Sequence, residues 1–382
     1  MKVENFNYTV HGGWSVDSFP DMDSEQTLVL VFAAPEIIQN PTPINELAKH
    51  YPNSKIIGCS SAGEISGQVI SDNSISVAVT RFEKTQLEIV KVNITSPSDS
   101  SKTGKAIANE LYKKDLKGIF VLSEGLNVNG SELVKGLNTL ANENVIISGG
   151  LAGDGPNFKK TWTIYNGEIL ENHVVAVGFY GDSIQIGFAS QGGWDIFGPE
   201  RFITRSENNI LYELDGKPAL ALYKDYLGER AEGLPSTGLL YPLAIRHDME
   251  DNKHLVRTIL AVNEDDQSLI FAGDVPVGHL AQLMRANFDR LISSAGMAAA
   301  NAGDMLKTAN SNEPILAVAV SCVGRRLLLG ERTEEETEAT LSSLPKNSAQ
   351  LGFYSYGELS PFVAGTCDLH NQTMTMTTFC EN

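Results

Sequence analysis

Three short segments place a carboxylate beside glycines and hydroxyl groups. They read Gly58-Cys59-Ser60-Ser61-Ala62-Gly63-Glu64, Ser148-Gly149-Gly150-Leu151-Ala152-Gly153-Asp154 and Ser355-Tyr356-Gly357-Glu358. Glycine has no Cβ, so its backbone can approach a ligand closely. Bare N–H groups, the hydroxyls of Ser60, Ser61 and Tyr356, and the three carboxylates could together hold a small polar molecule. The structural alternative is a tight connection in which each carboxylate caps neighbouring N–H groups. No Gly-Lys-Ser/Thr follows the first segment, so it is not a nucleotide-binding P-loop. Neither Ser60 nor Ser61 fits a G-x-S-x-G frame, and nothing links either serine to a histidine and an aspartate.

A cation on the same site would make it suit a zwitterion such as an amino acid. Arg257 is the candidate, because it falls on an expected strand among the apolar residues Leu255, Val256 and Ile259. An arginine facing a cleft clamps a carboxylate; the alternative is a solvated surface arginine. Arg246, just before His247, is a weaker candidate. The histidines are His11, His50, His173, His247, His254, His279 and His370, with no HExxH pair and no C-x-x-C-H. Covalent c-type haem is unsupported, whereas non-covalent haem needs only one axial side chain, for which His279 is the candidate. Cys367-x-x-His370 with Cys380 lacks a fourth zinc ligand, so no metal motif is present.

The elements that must position these loops repeat along the chain. Leu28–Phe32 is a buried strand, Pro43–His50 a helix and Lys55–Gly58 a second strand ending in the first loop. Gly118–Leu122, Ser131–Ala141 and Asn144–Ile147 repeat the pattern before the second loop. Ile315–Val320, Thr333–Leu344 and Gln350–Tyr354 repeat it before the third. Such a β-α-β unit implies a parallel pair with a right-handed crossover. In the first two copies a hairpin follows: Ser76–Phe82 with Leu87–Val90, and Val174–Tyr180 with Ile184–Gly187. The fold class is therefore mixed α/β: duplicated β-α-β-plus-hairpin units over 27–95 and 118–190, with parallel and mixed sheets and a C-terminal half. Between copies, Ser206–Leu227 reads as helical around the turn Asp215-Gly-Lys-Pro218. Strands are expected at Arg257–Val262 and Ser268–Phe271, and a helix from Gly278 to Ala295. A boundary falls near Gly228, giving an extension at 1–26, domains at 27–227 and 228–365, and a tail at 366–382. Because all three loops follow the closing strand of a unit, they are expected to border one pocket between the halves.

Composition narrows the partners. The 382 residues are 42% hydrophobic and 20% charged, an ordinary globular balance. The formal charge is −18, from 29 basic and 47 acidic residues, and such a surface repels nucleic acid and anionic lipid. There is no signal-peptide core and no apolar run of spanning length. The sparse cysteines, Cys59, Cys322, Cys367 and Cys380, fit reduced cytoplasmic thiols.

At these motifs the sequence resembles the FIST sensory family, with its FIST-N and FIST-C halves. The two glycine loops resemble the first half. Asp215-Gly-Lys-Pro-Ala-Leu-Ala-Leu-Tyr223 is similar to the joining segment. Phe271-Ala-Gly-Asp-Val-Pro-Val-Gly278, Ser321-Cys-Val-Gly-Arg325 and Tyr356-Gly-Glu-Leu-Ser-Pro361 are similar to the second half. The resemblance covers about residues 27–365. It implies a cytoplasmic, stand-alone, non-enzymatic sensor that binds a small ligand such as an amino acid. Such a sensor would act on a separate signalling partner, for example a histidine kinase. It also raises the alternative of a haem-binding nitric oxide sensor of the NosP type. The least favoured alternative is a hydrolase using Ser60 or Ser61.

Overall fold

Strand Thr27–Ala33 is buried at every residue, which its unbroken apolar run requires of a strand covered on both faces. It pairs in parallel with Lys55–Ser60 across the helix Thr42–His50. The other two copies do the same: Leu116–Ser123 with Ile146–Leu151, and Ile315–Cys322 with Ser348–Ser355. This is a computed structural model describing residues 1–139, 145–250, 254–306, 313–363 and 366–382. The helix expected over Ser131–Ala141 spans Gly130–Leu137; positions 140 and 141, and Asn144 of the expected strand, lie outside the described residues.

Each unit continues identically. A short hairpin leaves the second strand: Glu64–Ser66 with Val69–Ser71, Thr163–Tyr165 with Glu168–Leu170, and Gly357–Val363 with Thr366–His370. A return strand then pairs antiparallel with the first: Ser74–Arg81, His173–Tyr180 and Met374–Glu381. The hairpins are exchanged. That of unit one extends the sheet of unit three, that of unit two the sheet of unit one, and that of unit three the sheet of unit two. The molecule is thus a three-unit ring, and the sequence shows its third copy only in part.

The expected hairpins after the return strands do not form. Gln86–Asn93 follows Ser74–Arg81 but pairs with His173–Tyr180 of unit two, and Ile184–Gln191 crosses to Met374–Glu381 of unit three. The reason is that each return strand already has both edges filled. Ser74–Arg81 lies between Thr27–Ala33 and the N-terminal strand Lys2–Thr9, so the next strand must satisfy its N–H groups elsewhere. Lys2–Thr9 occupies in unit one the place that these crossing strands take in units two and three. The buried Glu381 carboxylate accepts the N–H groups of Glu83, Lys84 and Thr85 at 2.6–2.7 Å, and the N-terminal ammonium lies 3.7 Å from it. Burial pushes this carboxyl up, but the N–H donors outweigh it and hold it below its usual range.

The three sheets enclose a shared core, in which Phe32 stacks on Phe353 at 4.5 Å and Phe179 on Phe379 at 4.7 Å. Between units two and three a separate eight-stranded sheet is inserted from residues 195–285, and segments on both sides of Gly228 contribute to it. Here two expected helices give way. Asp195–Glu207 and Ile210–Leu214 are antiparallel strands, turning at Asn208 with φ 51°, so only Ala219–Leu227 is helical. Leu280–Arg285 is a strand, and the helix begins at Phe288, where the Asn287 side chain caps the Arg290 N–H. Asparagine favours both the left-handed turn and the cap, and it breaks each apparent helical run.

Candidate functional site

The three glycine–acid loops meet where the second strands end. Gly153 N–H donates to the Ser60 carbonyl at 3.1 Å, Ala62 N–H to that of Tyr354 at 2.9 Å, and Tyr356 N–H to that of Leu151 at 3.1 Å. Each loop therefore bonds to the other two. Gly58, Gly149 and Gly150 lie inside the strands, where a Cβ on Gly58 or Gly149 would strike the carbonyl of Val31 or Val121. Cys59 faces the shared core, and the Ser60 hydroxyl accepts the Trp162 N–H at 3.2 Å.

The carboxylates diverge. Glu64 accepts the Ser74 hydroxyl at 2.7 Å and its N–H at 3.2 Å. Glu358 does the equivalent with Thr373, at 2.9 and 3.2 Å, and adds the Ser355 hydroxyl at 2.7 Å. Both hydroxyl residues stand at the start of a return strand. Asp154 instead folds its own loop: it accepts the N–H groups of Phe158, Lys159 and Lys160 at 2.8–2.9 Å and the Tyr356 hydroxyl. Burial pushes the Glu64 and Glu358 carboxyls up to about 8, against the opposing pull of these donors.

A cavity of about 680 Å³ opens over two of the loops, lined by Ser61, Glu64 and Asp154. Glu358 does not line it, and neither do Tyr356 and Gly357, although Tyr356 reaches its rim through Asp154. Unit three supplies the opposite wall through Val323, Arg326, Glu331 and Glu334. Among the described residues six carboxylates line the cavity (Glu36, Glu64, Asp72, Asp154, Glu331 and Glu334) against one cation, Arg326. Arg326 is braced by Asp72 through two bonds of 2.8 Å and donates to the Ala62 carbonyl at 2.5 Å. It passes through the space a side chain at Gly63 would take: a Cβ there would lie 2.4 Å from Arg326 Nη1, and Gly63 also has φ 137°.

Arg257 lies elsewhere. It is buried in a cavity of about 330 Å³ between the inserted sheet and unit two, beside His279, and no lining residue is shared with the first cavity. His279 meets His247 edge to face at 5.0 Å, and Arg246 is paired with Glu200 at 2.6 Å. Cys367 and Cys380 are buried thiols, and among the described residues no cluster of His, Cys, Asp and Glu could hold a metal.

Sequence reasoning missed Arg326, Asp72 and Glu36. The motif ended at Arg325, which is wholly buried against Glu336 at 2.6 Å. Its neighbour lies about 100° round the helix Val323–Leu329 and so faces another way. That offset was the only available signal, since Asp72 is 254 residues distant.

The FIST N domain matches residues 27–217 and the FIST C domain residues 219–361. The chain belongs to the FIST family, whose domains are sensors in signal transduction. An uncharacterized protein of Methanocaldococcus jannaschii is 26% identical over 338 residues, which span 82% of this chain but only 62% of the relative. Among solved structures, a cyanuric acid hydrolase from A. caulinodans matches at 12% identity over 78% of this chain and 99% of its own. PurLQS from Thermotoga maritima matches at 10% over 94% and 67%. The TM-scores are 0.19 and 0.18. Among the described residues no helix is long and apolar enough to cross a membrane.

Proposed function

We propose that this chain is a cytoplasmic sensor that binds a small amino-acid-like ligand in the cavity at Glu64 and Asp154. It then reports the bound state to a separate signalling protein such as a histidine kinase. One observation carries the reading. Two glycine–acid loops from the FIST N domain and Arg326 from the FIST C domain line the same cavity. A ligand there touches all three units of the ring, so binding shifts their relative packing, which a partner can read. The excess of carboxylates favours an ammonium group, with Arg326 left to meet a carboxylate. The hydrolase alternative gains no support, because the Ser60 and Ser61 hydroxyls accept N–H groups of Trp162 and Gly63 rather than serving a histidine.

Titration calorimetry of the purified chain against the common amino acids and small amines tests this. A ligand that binds, and whose affinity falls at least tenfold in Asp154→Asn and Arg326→Gln, supports it. Equal binding by these variants would place the ligand elsewhere. An intense Soret absorption in the purified protein would favour the haem alternative, for which His279 beside His247 is the candidate axial position.

A further inference from the structure

Arg257 is buried, yet among the described residues its guanidinium makes no hydrogen bond or ion pair to a carboxylate oxygen. Its Nε donates to the Asp274 carbonyl at 2.9 Å, and Nη1 donates to the carbonyls of Val256 and Leu369 at 3.2 and 3.1 Å. Nη2 has no hydrogen-bond partner among the described residues, and the guanidinium lines the 330 Å³ cavity. The nearby Asp274 carboxylate is committed to other groups: Asn129 Nδ2 donates to it at 3.0 Å, and Lys135 Nζ stands 3.6 Å away. Carbonyl partners satisfy N–H groups without a direct ion pair, so the charge is opposed only through space, by Asp274 and Asp368, in a low-dielectric place that a bound anion would further relieve. Burial pushes this guanidinium down to about 10, against the opposing charges of Asp274 and Asp368.

The surroundings are shaped to permit this. Gly273 packs flat on the guanidinium, and a Cβ there would lie 3.0 Å from Nε. Gly273 belongs to the Phe271–Gly278 motif, whose role the first cavity leaves unexplained. The remaining lining is mixed: Val134, Ile245, Leu255, Phe362 and Leu369 form an apolar patch, and Lys135, Arg246, His247 and His279 add polar groups beside it.

We propose that this cavity is a second binding site, separate from that at Glu64, which takes a small organic carboxylate with an apolar body. The two remaining N–H bonds, both on Nη2, suit a monoanion. The negative charges of Asp274 and Asp368 disfavour a phosphate dianion, while the apolar patch rewards a hydrocarbon body. The volume is at the lower end of small-molecule sites, so the occupant is small. Its walls come from the inserted sheet (Ile245, Leu255, Arg257), from unit two (Val134) and from the hairpin of unit three (Phe362, Leu369), so occupancy clamps the inserted sheet against the ring.

The test uses the full chain with benzoate as probe, benzamide as its uncharged isostere, and inorganic phosphate, each followed by calorimetry and thermal shift. Benzoate should bind and raise the melting temperature, benzamide should bind at least tenfold more weakly, and phosphate should not bind. Arg257→Gln should abolish the preference for benzoate over benzamide. Because that variant removes a buried charge and could fail to fold, Leu255→Trp supplies the second arm. Leu255 is half-buried and lies two residues from Arg257 on one strand, hence on the same face, so tryptophan takes up cavity volume while the guanidinium is kept. It should fold and weaken benzoate at least tenfold, whereas Glu64→Gln should leave benzoate binding within twofold. Equal binding of benzoate and benzamide, preference for phosphate, no benzoate binding at millimolar concentration, or unchanged affinity in Leu255→Trp each overturns the proposal. None of these outcomes bears on the Glu64 cavity, which is read with amines and amino acids.

Discussion

Glu64 and Glu358 hold equivalent places in units one and three, bond to equivalent hydroxyl residues, and are equally buried and equally shifted. Of the two, Glu64 lines the 680 Å³ cavity and Glu358 does not. The difference lies in what covers them. Over Glu64 stand the helices of unit three, with Arg326 between. Beside Glu358 the corresponding turn is closed by residues around the inserted sheet: Trp194 Nε1 donates to the Gln372 carbonyl at 2.9 Å, and Arg325 Nη1 approaches it at 3.4 Å. The repeated scaffold thus supplies the same anchored carboxylate twice, and the non-repeated segments decide which one faces an opening. An acid at a repeated position is a structural device first, and a binding group only where its cover has changed.

The comparison breaks most violently at Arg325, the anchor of the helix that carries Arg326. Glu336→Ala leaves that guanidinium buried without its carboxylate, an expected cost of roughly 3–5 kcal/mol in urea unfolding. A cost below about 1 kcal/mol would falsify the anchoring role.

Next in size is the pH response that the two glutamates should share. Each carboxyl sits near 8 in the folded chain and about 4.3 when unfolded. The folded state therefore binds more protons in this interval, and stability falls as pH rises from about 4.5 to about 8, then levels off. Glu64→Gln and Glu358→Gln should each flatten the slope, gaining on the order of 2–4 kcal/mol at pH 8.5 relative to pH 5.5. Denaturant melts at the two pH values check this, and parallel slopes in variant and parent would contradict it. Sharpening the contrast, only Glu64→Gln should alter binding at the first cavity.

Smaller again is the effect of the glycines. Gly63→Ala meets both the left-handed backbone and Arg326, with an expected cost of about 1–3 kcal/mol and weaker ligand affinity. Gly357→Ala meets only flexible leucine tips, of Leu369 and Leu151, and should cost less. Equal costs by thermal unfolding would erase the distinction. Least of all, Tyr356→Phe removes one hydroxyl from Asp154 and should destabilise by about 1 kcal/mol. Faster proteolysis within residues 155–160, measured by mass spectrometry, would report the loosened loop.

The units were legible because each lead strand is an unbroken apolar run and each second strand ends in glycine and an acid. Periodicity names such elements, but it does not say which edge a strand joins. Ser74–Arg81 and Gln86–Asn93 are separated by only four residues, so a hairpin was the natural inference; occupancy of both edges of the first strand is a tertiary fact. The loops of the site were legible for the same reason as the units. Arg326 was not, because its partners lie in another unit, and Arg257, expected beside the glycine–acid loops, sits at a different cavity. The inserted sheet was read worst. Its short strands lack clean alternation, and asparagines end them where helical spacing had been inferred.

The bond network at Glu381 has a genetic consequence. Since Lys2–Thr9 fills the position that a strand following unit three would take, the chain is a circle cut at one of three similar seams. The cut could be moved. A permuted gene that joins Asn382 to Met1 through a short flexible linker and opens between Gly181 and Ser183 retains every strand pairing, with new ends at an exposed turn. Such a chain can present either old terminus internally, and its new termini become attachment points for a reporter on the opposite seam of the ring.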